Sequence, residues 1–174
     1  MKIIVCGAGS VGRSIVGYLT QGNNDIVVID HDAKALDVIA KEYDIQPVFG
    51  EAAHPDILEK AGAENADILI AATDCDEVNM VACEVAAALF NVPKKIARID
   101  AQDYLSPLWG TLFNDKHIPV DLVISPDRAI ARAILSLLKV PGASEAISLL
   151  GSAARLLAFR CDDKTPLIRT PLSH

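Results

Sequence analysis

Short apolar runs alternate along the chain with longer segments in which apolar residues recur at helical spacing. The apolar runs predict strands at Lys2–Cys6, Asp25–Asp30, Gln46–Phe49, Asp67–Ala71, Lys95–Ile99 and Leu122–Ile124. The amphipathic segments predict helices at Val11–Gln21, Ala33–Tyr43, Pro55–Ala61, Glu77–Phe90, Tyr104–Phe113 and Asp127–Leu138. Near-continuous Ile, Val and Leu strands are typical of a parallel sheet that is covered on both faces. Right-handed crossovers then give an α/β fold, a Rossmann-like, doubly wound sheet of six parallel strands.

The regular alternation ends after Pro141-Gly142. We therefore predict one Rossmann domain over residues 1–140, and a linker with the incomplete start of another domain over residues 141–174. In that second segment Ser152–Arg160 can form one strand, and Cys161–Pro166 indicates a polar turn. The remainder is too short to build a core of its own, so we expect the chain to be a fragment of a longer protein.

The charge balance argues against nucleic acid as a partner. The chain has 174 residues, of which 51% are hydrophobic and 22% charged, and its formal net charge is −7. Lys and Arg form no cluster, whereas binding to a phosphate backbone needs a basic face. An electrostatic membrane anchor is disfavoured for the same reason. No apolar run approaches the roughly 18 residues that span a bilayer, so we do not expect direct membrane insertion.

The four cysteines are Cys6, Cys75, Cys83 and Cys161. They form no Cys-x-x-Cys pair, and no histidine spacing completes a zinc site, so no metal is predicted. Cys6 lies in a predicted core strand, where a reduced thiol acts as a small hydrophobe. The N-terminus lacks the pattern of a signal peptide. Together these features favour a reducing cytoplasm.

A glycine motif joins the first predicted strand to the first predicted helix. The sequence Gly7-Ala8-Gly9-Ser10-Val11-Gly12 has the pattern G-x-G-x-x-G, which is weak alone but informative at a strand-to-helix turn. The first glycine permits the tight turn, the second lets a pyrophosphate approach the backbone, and the third lets helix and strand pack closely. The amides and dipole of the helix N-terminus would hold the phosphates. The alternative is a glycine-rich turn without a ligand.

Asp30 ends the second predicted strand, 18 residues beyond Gly12. A carboxylate at this point can accept hydrogen bonds from both hydroxyls of an adenosine ribose and would repel a 2′-phosphate. Asp30 therefore favours NAD(H) over NADP(H). A solvated aspartate at the end of a strand is the alternative.

Further polar residues follow the third and fourth strands. Glu51 could contact the base or ribose, although a helix-capping role is equally compatible with its position. Thr73 and Asp74 should border the ribose and phosphates, because the carboxyl ends of parallel strands face the ligand crevice. Asn79, one turn into the following helix, could point back at this site.

Arg98 lies near the end of the fifth strand among apolar neighbours. A guanidinium in that environment is costly unless it is paired. Its partner could be a bound phosphate or an internal acid at Asp74 or Asp100, and the sequence favours neither. 

No catalytic constellation is visible, so no catalytic residue is predicted. Dehydrogenases generally add a second domain that holds substrate against the nicotinamide, whereas the Rossmann segment takes up most of this chain. Binding without chemistry is therefore favoured. The alternatives are a fragment of an NAD-dependent oxidoreductase and a structural Rossmann module with an empty site.

The chain resembles the KTN (or RCK) nucleotide-binding domain of regulators of Trk-type potassium uptake. The segments that carry the resemblance are Met1–Gly12, Asn23–Ile26, Asp30, Gly50–Gly62 with His54-Pro55, Ala66–Ala72, Asp76–Cys83, Ala97–Ile99, Ile118–Asp121 and Pro141–Ala143. By this resemblance the dinucleotide contacts fall on Gly7 to Val11, Asp30, Thr73, Asp74 and Arg98. Ser10 replaces a longer polar or basic side chain that relatives often carry, so ATP or ADP remain possible ligands beside NAD(H).

The resemblance also implies a cytoplasmic regulatory subunit, peripheral to the inner face of the membrane, that forms dimers and rings under a membrane potassium-translocating subunit. Nucleotide occupancy would change the shape of the ring and so open or close the pore. We expect the apolar helix from Pro126 to about Leu138 to form the dimer, because nothing that follows in the chain can cover it.

Overall fold

A computed structural model describes residues 1–139, 143–149 and 154–161 of the chain. The strands are β1 (Lys2–Cys6), β2 (Asp25–Asp30), β3 (Gln46–Phe49), β4 (Ile68–Ala71), β5 (Lys94–Arg98), β6 (Leu122–Ile124), β7 (Ala143–Leu149) and β8 (Ala154–Phe159). The helices are α1 (Ser10–Leu19), α2 (Ala33–Glu42), α3 (Pro55–Lys60), α4 (Asp76–Phe90) and α5 (Pro126–Leu138), with short 3-10 turns at Ala63–Asn65 and Pro107–Trp109.

The first six strands form one parallel sheet in the order β3-β2-β1-β4-β5-β6. The chain reverses its direction of winding between β1 and β4, and ligands bind at such a switch point in open α/β sheets. The predicted doubly wound sheet of six parallel strands is confirmed.

The side chains of β1 point alternately to the two faces of the sheet, and both faces are packed against helices. Ile3 and Val5 pack into one apolar cluster with residues of α1 and α2. Ile4 and Cys6 pack into a second cluster with residues of α3 and α4. All four side chains are fully buried, so a change of register by one residue would exchange the two faces.

The predicted helix Tyr104–Phe113 is wrong. Only the 3-10 turn Pro107–Trp109 forms there, between other turns. The proline disfavours helical geometry at Ser106, which is extended and caps the turn through its side chain. Gly110 then follows within one turn and has a low helix propensity. The prediction of a helix used the apolar spacing alone and did not weigh Ser106, Pro107 and Gly110.

The described residues group into two compact units, residues 1–125 and a second that starts at Pro126. This division falls earlier than the boundary expected after residue 140, and the extent of the domains stays a prediction. In the second unit α5 contacts β7, and β7 pairs antiparallel with β8. The strand expected at Ser152–Arg160 is present as β8, whereas β7 was not predicted. The predicted turn at 161–166 lies, beyond Cys161, outside the described residues.

Candidate functional site

A cavity of about 350 Å³ lies at the carboxyl ends of β1 to β5. We call it the switch-point cavity. It is lined by Gly7, Gly9, Ser10, Ile29, Asp30, His31, Asp32, Ala35, Gly50, Glu51, Ala52, Ala72, Thr73, Asp74, Cys75, Val78 and Arg98. Of the candidate site residues, only Ala8, Val11 and Gly12 are not part of its wall.

Backbone geometry requires glycine at two positions of the loop Gly7–Gly12. Gly7 has φ +104°, and a Cβ there would lie 2.8 Å from the carbonyl oxygen of Ala72. A Cβ on Gly12 would lie 1.8 Å from the carbonyl oxygen of Gly7. Glycine at position 7 therefore lets the loop approach the end of β4, and glycine at position 12 lets α1 pack closely against the loop.

Gly9 differs from these two glycines. Its φ of −68° is open to any residue, and a Cβ there would meet no atom within 4 Å. The fold itself does not require glycine at this position. A side chain here would occupy open space next to the switch-point cavity, because Gly9 is part of its wall.

The N-terminus of α1 is open to an anion. Gly9 is its N-cap and supplies no side-chain hydrogen bond, and the first turn contains no acidic residue. By contrast, Asp32 caps α2 by accepting a hydrogen bond from the amide of Lys34, and α4 has Asp76 and Glu77 in its first turn. The amides of a first helical turn lack partners within the helix, and with the helix dipole they attract negative charge.

The side chain of Asp30 is hydrogen-bonded to the backbone of the glycine loop. Its side chain is only 12% exposed. One carboxylate oxygen accepts a hydrogen bond from the amide of Ala8 at 2.6 Å, and the other accepts from the amide of Asp32 at 2.7 Å. Ala8 thus contributes its amide to the architecture of the site, while its side chain is buried in the core.

The candidates from the third and fourth strands lie on either side of Asp30 and the glycine loop. Glu51 is exposed on the wall beyond β3. The N-cap of α3 is His54, without a side-chain cap. Thr73 and Asp74 lie on the opposite wall, beyond β4, where Asp74 is exposed and Thr73 half-buried.

Arg98 forms an internal ion pair and also borders the cavity. Its Nε donates to Oδ2 of Asp100 at 2.8 Å, and its Nη2 lies 2.5 Å from the same oxygen. Of the two acids that the sequence offered, Asp100 is the partner. Nη1 stays outside this pair, so the guanidinium can still face a ligand in the cavity.

Two cysteines are buried in the core. Burial raises the pKa of the Cys83 thiol to about 12, and burial together with the nearby Cys83 raises the pKa of Cys6 still further. Both thiols therefore stay protonated and behave as small hydrophobes. Cys75 differs, because it lines the cavity and donates to Glu77 at 3.4 Å.

Glu77 links α4 to the segment after β5. Its own backbone amide, the Tyr104 hydroxyl at 2.9 Å and the Cys75 thiol lower the pKa of its carboxyl group. The hydrogen bond and the charge of Glu77 in turn raise the pKa of Tyr104. Glu77 is therefore ionised at neutral pH and fixed away from the cavity.

In the switch-point cavity the groups available to bind an anion are backbone amides rather than cationic side chains. Its wall contains four carboxylates, from Asp30, Asp32, Glu51 and Asp74, and one guanidinium that is already paired. His31, Asp32 and Cys75 also belong to the wall and were not predicted from the sequence. Each of the three lies within four residues of the end of a predicted strand. That position could have indicated that they border the cavity, because the carboxyl ends of parallel strands face the ligand crevice.

Two negative findings concern the described residues. In residues 1–139, 143–149 and 154–161, no group of three or more His, Cys, Asp or Glu side chains is placed to hold a metal ion. No helix in the same ranges combines the length and apolarity that crossing a membrane requires.

Known proteins with similar sequences belong to potassium uptake systems. The chain is 41% identical over 174 residues to the Trk system potassium uptake protein TrkA of Azorhizobium caulinodans, a match that covers 100% of this chain and 38% of that protein. It is also 41% identical over 173 residues to the protein of the same name from Vibrio alginolyticus, covering 99% of this chain and 38% of that protein. The chain therefore spans well under half the length of these relatives.

Among solved structures, the TrkA-N domain of the inner membrane protein ybaL from Escherichia coli has a TM-score of 0.68 and 25% identity, covering 79% of this chain and 96% of that chain. The GsuK channel bound to NAD has a TM-score of 0.66 and 17% identity, covering 86% of this chain and 25% of that one; this likeness concerns the fold alone. The TrkA-N domain family matches residues 3–126, which include every residue of the switch-point cavity and all of the six-stranded sheet except Lys2. The chain belongs to the TrkA-N domain family.

Proposed function

We propose that this chain is the NAD(H)-binding part of a cytoplasmic regulatory subunit that gates a membrane potassium transporter or channel, and that it binds without catalysing a reaction. The observation that carries the proposal is the uncapped N-terminus of α1, which opens on the same cavity as Asp30. An anion site and a carboxylate that border one cavity suit the diphosphate and the ribose of a dinucleotide. The names of the Trk relatives and of the NAD-bound GsuK channel support this assignment.

The site residues of the proposal divide into two groups. Gly7, Gly9, Ser10, Asp30, Glu51, Thr73, Asp74 and Arg98 face the ligand from the cavity wall. Ala8, Val11 and Gly12 shape the loop and the first turn of α1, whose amides hold the diphosphate.

The charge of the cavity favours NAD(H) over ATP or ADP. Each phosphate of a dinucleotide carries a single negative charge, whereas the terminal phosphate of ATP or ADP carries more. Added negative charge is unfavourable beside four carboxylates. Asp30 would further repel a 2′-phosphate, so NADP(H) should bind less tightly.

Regulation follows if the nucleotide binds two arrangements of an assembly with different affinity, because a ligand shifts an equilibrium only by that difference. The partners we propose are a membrane potassium-translocating subunit and further copies of this chain, as a dimer or larger ring. Docking to the membrane subunit would place the protein at the inner face of the membrane. Neither nucleic acid nor direct insertion into the bilayer is part of the proposal.

Calorimetry on the purified chain tests the ligand assignment. We expect saturable binding of NAD or NADH that is tighter than binding of ATP, ADP and NADP. Native mass spectrometry should show the mass of any nucleotide that is retained during purification. No saturable binding of any adenine nucleotide would leave only a structural Rossmann module. Turnover of the nicotinamide with small alcohols or hydroxy acids would instead favour the oxidoreductase alternative.

The oligomer is proposed to form through α5. Ile130, Ile134 and Leu138 are spaced four residues apart on one face of this helix, and each is more than half exposed. We expect a dimer or larger assembly by light scattering at micromolar concentration, and dissociation in the variant Ile134→Glu, because burying an unpaired carboxylate is costly. Ala129→Glu, on another face of the helix, is the matched control and should stay assembled. A monomeric wild-type protein would contradict the proposal.

A further inference from the structure

Asn79 is a polar side chain in the core of the fold. It lies one turn into α4 and is 0% exposed. Its Oδ1 accepts hydrogen bonds from the amide of Thr73 at 2.9 Å and from the Thr73 hydroxyl at 2.7 Å. Its Nδ2 donates to the carbonyl of Thr73 at 3.1 Å and to the carbonyl of Arg98 at 2.9 Å. The amide group therefore uses two acceptor sites and both donor hydrogens.

These four bonds connect the ends of two neighbouring strands. Thr73 follows β4 and Arg98 ends β5, and both residues border the switch-point cavity. Asn79 itself is not part of the cavity wall, so it can act on a ligand only through the residues that it holds. No side chain with a single polar atom could make all four of these bonds.

The first turn of α4 is tied to the same strand ends at a second point. Asp76 accepts hydrogen bonds from the amide of Asp100 at 3.0 Å and from the amide of Ala101 at 2.8 Å, just beyond β5. The amide of Asn79 donates to the carbonyl of Cys75 at 3.1 Å, as the helix begins. The two strand ends and the start of α4 therefore form one hydrogen-bonded unit.

The sheet order divides the switch-point cavity into two halves. The glycine loop follows the central β1; Asp30, His31 and Glu51 lie on the β2–β3 side, and Thr73 and Arg98 lie on the β4–β5 side. A dinucleotide whose diphosphate lies at the loop places one nucleoside in each half. AMP fills only the half that contains Asp30.

We propose that Asn79 is a positioning residue that fixes Thr73 relative to Arg98 and thereby sets the affinity for the second nucleoside of the dinucleotide. This inference rests on the proposed function, because it assumes that NAD occupies the cavity. Asn79 bonds to both strand ends from α4. A change in the positions of Thr73 and Arg98 when a nucleoside binds would therefore also move the start of α4.

The test compares NAD with AMP in calorimetry on the full chain. Asn79→Asp keeps the size of the side chain but replaces both donor hydrogens with an acceptor, and Asn79→Ala removes all four bonds. We expect each variant to bind NAD at least about tenfold more weakly, while its Kd for AMP stays within about twofold of wild type. Asn24→Asp is the matched control. Asn24 donates to the carbonyl of Leu19 at 2.8 Å and directly precedes β2, whereas the cavity lies at the carboxyl ends of the strands, so both affinities should be unchanged.

The ratio of the two affinities separates positioning from stability. A variant that only destabilised the fold would weaken NAD and AMP by the same factor, and that result, or unchanged binding of both, would overturn the role of Asn79. If wild type binds neither nucleotide, the proposed function itself fails.

If the Asn79 variants do not fold, amide hydrogen exchange on the wild-type protein tests the inference instead. The amides of Thr73 and Asn79 should exchange more slowly with NAD than with AMP at equal saturation, because only NAD fills the β4–β5 half. Equal protection by the two nucleotides would overturn the inference.

Discussion

Gly9→Ala is expected to weaken NAD binding by roughly 30- to 150-fold, which corresponds to losing about 2–3 kcal/mol from charge-assisted hydrogen bonds. The methyl group would point into open space beside the switch-point cavity, where the diphosphate should approach the amides of α1. The free energy of unfolding should fall by no more than about 1 kcal/mol, because φ is −68° and the loss of an N-cap glycine to alanine costs on that order. Calorimetry with NAD and thermal unfolding of the same sample measure both effects.

Gly12→Ala is the contrasting variant in the same loop. Its Cβ would lie 1.8 Å from the Gly7 carbonyl oxygen, so backbone must move. Overpacking of this kind costs about 3 kcal/mol, and unfolding should shift to lower temperature before any ligand is added. Gly9→Ala would contradict the assignment if it bound NAD as tightly as wild type, or if it proved as unstable as Gly12→Ala.

The sheet could be predicted from the sequence because its strands are buried on both faces. Ile26 to Ile29 of β2 are all buried, and such a run of apolar residues has few interpretations other than a central parallel strand. The segment between β5 and β6 could not be predicted in the same way. There Ser106, Pro107 and Gly110 override the apolar spacing, since backbone preferences act locally and do not depend on which face is apolar.

Among the site residues, those with a fixed backbone role could be predicted from the sequence, whereas the partners of the long or buried polar side chains could not. The pattern of Gly7, Gly9 and Gly12 has a fixed geometric meaning at a strand-to-helix turn, so their positions followed from the sequence. The partner of Arg98 could not be chosen, because two acids and a phosphate were all within reach of a long side chain. Asn79 was expected only to point toward the site. The structure shows instead that it is buried behind the wall and bonded to both strand ends.

Asp30→Asn is expected to weaken NAD binding by about 1.5–3 kcal/mol, the value of a hydrogen bond to a charged group. It should also reduce the preference for NAD over NADP by at least about tenfold, because the carboxylate that repels a 2′-phosphate is lost. The variant has a structural effect as well. The Asp30 side chain is 12% exposed and accepts from the amides of both Ala8 and Asp32, and an asparagine amide would turn a donor toward one of them. Unfolding should therefore occur at a lower temperature than in wild type.

Asp32→Asn controls for the loss of one negative charge from the same wall. Asp32 caps α2 by accepting from the amide of Lys34 at 2.8 Å, and asparagine is an equally good N-cap, so stability should stay near that of wild type. If charge alone set the preference for NAD over NADP, both variants would change it alike, because both residues line the cavity. If the Asp30 carboxylate binds the ribose hydroxyls, only Asp30→Asn changes it strongly. Titrations of both dinucleotides against the two variants therefore separate a general acidic field from a specific contact, and an unchanged ratio in Asp30→Asn would contradict the ribose assignment.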